Sequence, residues 1–177
     1  RLVGSEMCIR DRDFAYTLYL ILLDAPEIPN DQIKHYVQKW FVLSTLTSRY
    51  IGSPESQMDR DMRSIQEKGF LSFLADTEAS ALSETFWTVT LPQNLETSSV
   101  NSPAFNVFLA AQEHLNCNSL FMNGLKVGDL ITISGDIHHI FPRAYLRSNG
   151  VNSKTKYNQV ANYIYPVSYT HLRAHET

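Results

Sequence analysis

The sequence predicts a mainly α-helical protein in which a helical domain is followed by a short two-stranded hairpin. Apolar residues recur at the spacing of amphipathic helices through the first part of the chain, as far as Leu115. From Val127 onward this spacing is lost, and short β-branched and aromatic runs replace it. The chain has 177 residues, which is enough for one domain with a sizeable core and a small appended module.

The composition is that of an ordinary globular protein. Hydrophobic residues make up 44% of the chain and charged residues 19%, which excludes a disordered chain. No apolar run is long enough to span a membrane, and no signal peptide begins the chain. Cys8 and Cys117 are too few for a disulfide framework or a cysteine zinc site. We therefore expect no membrane contact and a cytoplasmic location.

The two ends of the chain resemble sequence of foreign origin. The segments 1–12 (RLVGSEMCIRDR) and 166–177 (PVSYTHLRAHET) resemble translated sequencing-adapter read-through. The resemblance implies that the natural segment is roughly Asp13–Tyr165, cut from a longer protein. Cys8, His171 and His175, which belong to these tails, therefore carry little weight as functional residues.

The predicted helical domain, residues 13–126, begins with two helices. Phe14–Leu23 carries apolar or aromatic residues on nearly every face, which predicts a fully buried helix. After Pro29, Asn30 is expected to cap a second helix with one apolar face. That face consists of Ile33, Tyr36, Val37, Trp40, Phe41 and Ser44.

Further helices are predicted from capping signals. Ser53 and Pro54 are a typical start, and Ser102 and Pro103 repeat it. The third helix is expected to turn Met58, Met62 and Ile65 inward and to leave Asp59, Arg60, Asp61 and Arg63 in solvent. Helical patterns resume at Phe70–Leu74 and Leu82–Val89 and are expected to stop at Pro92. The stripe of the helix after Pro103 is Phe105, Phe108, Leu109 and Leu115.

The predicted hairpin module spans residues 127–165. Val127–Ile133 is β-branched and apolar, and it is expected to form the first strand. Arg143–Ser148 predicts a short helix that ends at Asn149-Gly150. Tyr157–Tyr165 is expected to form the second strand. A turn that carries two adjacent histidines therefore lies between the predicted strands.

That turn is Gly135–Pro142, with the sequence GDIHHIFP. Adjacent residues on an extended segment point to opposite sides, so one histidine can face a water molecule while the other faces a metal ion. An imidazole changes its protonation near neutral pH, which suits a general base. A histidine pair on a loop is also common as a purely structural or surface feature.

A local basic segment accompanies the histidine pair. The net charge of the whole chain is -3, which argues against DNA binding through a global field. From Ile137 to Tyr165, however, the sequence has no Asp or Glu and four cations: Arg143, Arg147, Lys154 and Lys156. These cations could contact nucleic-acid phosphates or could form an ordinary solvated face, and the sequence leaves both possibilities open.

The segment HHIFP resembles the first half of the HNH, or ββα-metal, nuclease motif. The resemblance implies that His139 is the general base, that His138 occupies a metal-ligand position, and that Asp136 ligates or orients. It also implies a middle asparagine that holds the histidine loop, for which Asn162 fits best and Asn158 is the second candidate. A last ligand is expected near position 171, where the histidine belongs to the adapter-like tail and is taken as a coincidence.

A longer resemblance covers about Arg49–Tyr165. The stretches RYIGSPESQMDRDMRSI, FWTVTLPQNLETSSVNSPAFNVFLAAQ, GDIHHIFPRAYLRSNG and YNQVANY are similar to the carboxy-terminal half of bacterial GmrSD-type proteins. That family pairs an amino-terminal ParB-like, nucleotide-dependent nuclease domain with an HNH domain. The resemblance implies a DNA endonuclease of modification-dependent restriction or phage defence that uses Mg²⁺ or another divalent cation. The ParB-like domain would lie outside this segment, and the fragment itself is expected to be catalytically incomplete.

Two other interpretations remain. The chain could be a non-enzymatic helical interaction module, or a nucleic-acid-binding module, in which the histidine turn is structural or vestigial. A zinc-stabilised binding module is disfavoured, because no third and fourth ligands follow the histidine pair at a suitable spacing. The sequence gives no indication of the oligomeric state.

Overall fold

The computed structural model describes residues 6–96, 99–100, 102–120, 124–133 and 137–164, and helices predominate among them. The helices are α1 (Glu6–Leu23), α2 (Asn30–Leu46), α3 (Pro54–Lys68), α4 (Phe70–Ala81), α5 (Leu91–Leu95), α6 (Pro103–His114), α7 (Val127–Ile133), α8 (Arg143–Ser148) and α9 (Lys154–Tyr157). The strands are β1 (His138–His139) and β2 (Tyr163–Ile164). The prediction of a mainly helical protein with a small sheet after Val127 is confirmed for these residues.

The described residues form two compact units, which divide at Leu91 and Pro92. The predicted boundary lay between residues 126 and 127, whereas in the structure α6 belongs with the hairpin. The reason is that α6 packs against α7, and that the ring of Phe105 on α6 meets the ring of Tyr163 on β2. Each unit is described separately below.

The first unit is built from α1 to α4 around one apolar core. The buried members of this core are Phe14, Leu18, Leu22, Ile28, Ile33, Trp40, Leu43, Tyr50, Ile65, Phe70, Phe73 and Leu74. Gly69 joins α3 to α4 with a φ of 79°, a left-handed conformation that glycine adopts without a side-chain clash. The predicted inward positions Met58 and Met62 pack against the core, together with buried Ile65.

The prediction that Phe14–Leu23 is buried on every face is wrong. Phe14, Leu18 and Leu22 are buried, but Tyr16 is 64% exposed and Leu20 and Leu23 are also exposed. The helix has a single neighbour with extensive contacts, α2, so only one of its faces is covered in the described part of the chain. On α2, Phe41 is 39% exposed, whereas Trp40 is buried as predicted.

Asp61 corrects the prediction of a fully solvated charged face on α3. It is 1% exposed, and its carboxylate accepts two hydrogen bonds from Arg49, at 2.6 and 2.7 Å. The hydroxyl of Tyr50 donates to it at 3.0 Å, and the amide of Gln57 donates at 2.8 Å. The Arg49 guanidinium also lies over the ring of Trp40, at 5.4 Å. A buried carboxylate of this kind is tolerated because its oxygens are saturated with donors.

Helical structure does not stop at Pro92 as expected. Residues Phe86–Thr90 form a π-helix that leads directly into α5, and the N–H of Leu91 bonds to the carbonyl of Phe86. Proline lacks an N–H and crowds the preceding turn of an α-helix. The wider π-turn just before Pro92 accommodates it without ending the helical path.

The start of α6 agrees with the sequence. Ser102 is the N-cap, its hydroxyl accepts a hydrogen bond from the N–H of Phe105, and Pro103 occupies the first helical position. Phe105 is buried, as the predicted stripe requires. Leu115 is 71% exposed instead of continuing that stripe, because α6 ends at His114.

The predicted first strand, Val127–Ile133, is a helix in the structure. The side chain of Asp129 accepts a hydrogen bond from the N–H of Lys126 at 3.1 Å, which caps the first turn of α7. Leu130 is buried on the inner side of this turn. A short apolar run is compatible with either a buried strand or a helix, and here the cap decides for the helix.

The hairpin is shorter than predicted. β1 and β2 are antiparallel, with His138 opposite Ile164 and His139 opposite Tyr163. The expected strand Tyr157–Tyr165 is confirmed only at Tyr163–Ile164, because Tyr157 ends α9 and Val160–Asn162 forms a 3-10 turn. The predicted helix Arg143–Ser148 is present as α8. No helix in the described part of the chain is long and apolar enough to cross a membrane.

Candidate functional site at the histidine hairpin

The histidine pair forms β1, and its two members differ in exposure. His138 is half-buried and His139 is exposed, as neighbouring positions of an extended strand are expected to be. The N–H of Ile140 donates to the carbonyl of Asn162 at 2.8 Å, which continues the pairing beyond the two ladder residues. Pro142 then begins α8 and ends the extended segment.

The ring of His139 is oriented by Asn158. Its Nε2 lies 2.8 Å from Oδ1 of Asn158, a carbonyl-type oxygen that can only accept a hydrogen bond. Nε2 therefore carries the proton, and in the neutral ring Nδ1 holds the lone pair. On its other side the ring meets the edge of Tyr163, with 5.3 Å between the centroids. The contact with Asn158 therefore favours the Nε2–H tautomer, and the two contacts together favour one orientation of the ring.

Asn162 clamps the turn that follows the histidines. It is 8% exposed, its Oδ1 accepts the N–H of Phe141 at 2.8 Å, and its Nδ2 donates to the carbonyl of Phe141 at 3.2 Å. Nδ2 also donates to the carbonyl of Tyr157 at 2.8 Å. One buried side chain therefore connects the histidine turn, the 3-10 turn and the end of α9.

A cavity of about 250 Å³ lies behind the hairpin, between α6, α7 and β2. Its walls are mainly apolar and include Phe105, Leu130 and Ile140, with Gln112 and Asn118 among the polar residues. Tyr163 lines this cavity and also contacts His139. Burial raises the pKa of the Tyr163 phenol, so this ring is neutral at physiological pH.

The four predicted phosphate-binding cations are all exposed on the segment that links β1 to β2. Arg143 and Arg147 belong to α8, and Lys154 and Lys156 belong to α9. The guanidinium of Arg143 lies 5.6 Å from the centre of the Tyr157 ring, which holds it against the body of the unit. No salt bridge involves these four side chains within the described residues.

Comparisons with protein-family models, with curated proteins and with solved structures gave no match. The arrangement of the site therefore rests on this chain alone.

The described residues do not by themselves supply a metal site. Nowhere among them do three His, Cys, Asp or Glu side chains come together in a group that could hold an ion. His138 is the predicted ligand that the structure describes, while Asp136 and the position near 171 lie outside the described residues. The predicted metal ligands therefore stay a prediction.

Two features of the site were not anticipated from the sequence. The strand pattern predicts only a strand position for Tyr163, yet this residue contacts His139 and lines the cavity. Phe141 and Tyr145 stack on each other, and both rings are exposed to solvent. The spacing of four residues between Phe141 and Tyr145 across a helix start is a signal that predicts such a contact.

Proposed function

We propose that this chain carries part of the catalytic hairpin of an HNH-type, divalent-metal-dependent DNA endonuclease. We further propose, from the resemblance of Arg49–Tyr165, that it belongs to a modification-dependent restriction or phage-defence system with an amino-terminal ParB-like domain. The observation that carries the nuclease proposal is the hydrogen bond between His139 and Asn158, at an exposed strand end beside a buried asparagine clamp.

His139 has the properties that a general base requires. With Nε2–H directed at Asn158, the lone pair of Nδ1 is available to accept a proton from an attacking water. Asn162 fixes the backbone of Phe141 two residues later, so the strand end cannot swing away from the substrate. In many hydrolytic sites a neighbouring side chain holds the general base in the orientation that proton transfer needs.

The basic segment would hold the nucleic acid. Arg143, Arg147, Lys154 and Lys156 are exposed on the connection between the two strands, and their charges suit phosphate oxygens. Contacts of this kind position the backbone without reading its sequence. The proposal therefore attributes affinity to these cations and leaves recognition of sequence or modification to other parts of the protein.

A divalent cation such as Mg²⁺, when bound, neutralises charge on the phosphate and the leaving oxygen. The described residues alone cannot form a site for such an ion, because no group of three His, Cys, Asp or Glu side chains comes together among them. The metal would therefore need ligands beyond the described residues, namely Asp136 and a group in the natural continuation after Tyr165, while His139 would carry the proton transfer.

The decisive experiment uses a chain in which the natural continuation of the gene follows Tyr165. With Mg²⁺ this chain should cut DNA, and His139→Ala should lower the rate by roughly 10²–10⁴-fold, the range for loss of a general base. His35→Ala, which removes an exposed histidine from α2, is the matched control and should cut normally. Equal activity of the His139→Ala and His35→Ala variants would exclude His139 as the base.

The rival function is a nucleic-acid-binding module without catalysis. It would show salt-dependent DNA binding by the continued chain and no cleavage with any divalent cation. That result would leave the hairpin as a structural element and would end the nuclease proposal.

A further inference from the structure

An exposed pair of aromatic rings, Phe141 and Tyr145, follows the histidine pair on the segment that links β1 to β2. Phe141 is 53% exposed and Tyr145 is 56% exposed, and their rings stack with 6.3 Å between the centroids and 22° between the planes. A single exposed aromatic residue is ordinary, but two neighbouring, nearly parallel rings that are each more than half exposed place an enlarged aromatic, apolar patch in water. Such a surface favours a partner that also has planar faces.

The platform formed by Phe141 and Tyr145 is held in place by the hairpin. The backbone N–H and carbonyl of Phe141 are both bonded to the side chain of Asn162, at 2.8 and 3.2 Å. Pro142 follows and begins α8, which carries Tyr145. The backbone that carries the Phe141 ring is therefore fixed by Asn162, which lowers the conformational entropy lost when a partner binds there.

The electrostatic surroundings of the platform select an anionic partner. No Asp or Glu occurs between Ile137 and Tyr165, and Arg143 and Arg147 belong to the same six-residue helix as Tyr145. That helix is only about 9 Å long and roughly 10–12 Å across. Cations and rings are therefore within one or two nucleotide spacings of each other, a combination found in surfaces that bind single-stranded nucleic acid.

We infer that Phe141 and Tyr145 form a stacking platform for an unpaired base of single-stranded DNA, with Arg147 on an adjoining phosphate. Bases in a duplex stack on their neighbours and offer no free face, so the platform discriminates against paired DNA. This inference rests on the proposed function for its choice of DNA, and it narrows the substrate to a single-stranded or locally unpaired segment.

Binding of labelled oligonucleotides by the full chain, with the metal chelated to prevent cleavage, tests the inference. The probes are a single-stranded oligodeoxythymidylate of about 15 nucleotides, within the site sizes known for such surfaces, and a duplex of the same length. The double variant Phe141→Leu, Tyr145→Leu keeps apolar side chains but removes both rings. It should lose about tenfold in affinity for the single strand, as expected for the loss of one stacked base, and none for the duplex.

Two controls separate stacking from other effects. Tyr16→Leu removes an exposed tyrosine from α1, and its affinity for both probes should stay at the wild-type value. Arg147→Ala should weaken single-strand and duplex binding alike, because a phosphate contact is common to both. A thermal melt of the double variant should match that of the wild type, since both side chains are more than half exposed.

Photo-cross-linking provides a second and independent measurement. An oligonucleotide that carries iododeoxyuridine should cross-link to Phe141 or Tyr145, identified by mass spectrometry, and the double variant should lose that product. An unchanged affinity of the double variant for the single strand would overturn the inference, and so would an equal loss for the single strand and the duplex. If the chain with its natural continuation after Tyr165 binds the single strand through the two rings but does not cut DNA, the nuclease proposal is refuted and the stacking platform stands. If that chain cuts DNA but the rings do not contribute to binding, the platform is refuted and the nuclease proposal stands.

Discussion

Nε2 of His139 lies 2.8 Å from Oδ1 of Asn158, and this contact assigns the proton of the ring to one nitrogen. Asn158 follows the last residue of α9, so the short helix places an acceptor opposite an exposed strand end. An imidazole held in this way is a directional acceptor at Nδ1 instead of a rotating side chain. The first prediction concerns this contact.

Replacement of Asn158 by Ala should release the ring of His139. We expect the fraction of the Nε2–H tautomer to fall, measured by nitrogen–proton correlations of the His139 ring in NMR spectra. Cleavage by the continued chain should drop by up to about 10²-fold, because a misplaced base loses its alignment with water. Asn152→Ala, at an exposed position of the same connection, is the control and should change neither quantity. An unaltered tautomer in Asn158→Ala would show that Asn158 does not orient the ring.

The second prediction concerns the Asn162 clamp. Asn162→Ala removes three side-chain hydrogen bonds from a buried position. It should destabilise the unit that begins at Pro92 and contains the hairpin by roughly 2–4 kcal/mol. The local readout is hydrogen exchange of the Phe141 amide, which should accelerate once Oδ1 of Asn162 is gone. Asn149→Ala removes an exposed asparagine that donates to the carbonyl of Tyr145 and should cost less than about 1 kcal/mol. Equal effects of the two substitutions would mean that Asn162 is not a clamp.

Local sequence signals are sufficient to predict where some of the helices begin. Ser102 and Pro103 predicted the start of α6 because a cap and a proline act through neighbouring backbone groups alone. The same logic applies to α7, since Asp129 caps the N–H of Lys126, but the β-branched residues of Val127–Ile133 favour a strand instead. The cap and the strand pattern are both present in the sequence, and in the folded unit the Asp129 cap together with the burial of Leu130 favours the helix.

Contacts between residues that are distant in the sequence could not be predicted. Asp61 lies at helical spacing from Met58 and Ile65, which allows an inward position, but its burial depends on Arg49 and Tyr50 from the preceding loop. In the hairpin, the resemblance to the HNH motif anticipated a middle asparagine near the histidines, and Asn162 and Asn158 both lie there. The sequence does not show that Asn162 bonds to the backbone of Phe141 whereas Asn158 bonds to the ring of His139, because both contacts depend on the folded chain.

The third prediction concerns the buried ion pair. Asp61→Asn leaves the Arg49 guanidinium without its anion, and loss of one partner of a buried pair costs about 3–5 kcal/mol. Because the Arg49 side chain is 22% exposed and can recruit water, we expect about 3 kcal/mol, toward the lower end. Urea unfolding followed by tryptophan fluorescence measures it, since Trp40 lies in this core. Asp59→Asn, on the exposed face of α3, should change the free energy of unfolding by less than about 0.5 kcal/mol.

The fourth prediction is a pH dependence that arises from Tyr50. Burial raises the pKa of the Tyr50 phenol well above its usual value, and the nearby Asp61 carboxylate adds to the increase. Above a pH of about 10 the unfolded chain releases this proton while the folded protein keeps it. The unfolded state is then favoured, so stability present below that pH is lost as the pH rises, by up to about 1.4 kcal/mol per pH unit.

Tyr50→Phe should remove this loss of stability at alkaline pH. It should also lower stability at neutral pH by about 1–2 kcal/mol, because the Nε1–H of Trp40 and the carboxylate of Asp61 each lose a hydrogen-bond partner. Urea unfolding at several pH values between neutrality and pH ~11 gives both quantities. Tyr16→Phe removes an exposed phenol and should keep the wild-type slope. The same slope in Tyr50→Phe and Tyr16→Phe would assign the alkaline loss to other groups.

The fifth prediction is the salt dependence of DNA binding, which tests whether the cations of α8 and α9 contact phosphates. Each phosphate contact releases a condensed counterion, so the logarithm of the affinity should fall linearly with the logarithm of the salt concentration. Arg147→Ala and Lys154→Ala should each lower affinity on all sequences alike and reduce the slope by roughly 0.7–0.9, according to whether the strand is single or double.

Lys34→Ala provides the comparison for this experiment, because Lys34 is an exposed lysine on α2, away from the acid-free segment. It changes the net charge by the same amount, so a general electrostatic effect would lower affinity equally in all three variants. A specific effect of Arg147 and Lys154 would instead leave the Lys34→Ala slope at its wild-type value. An affinity that stays flat between low and moderate salt would show that the four cations are a solvated face, because phosphate binding without counterion release contradicts the polyelectrolyte character of DNA.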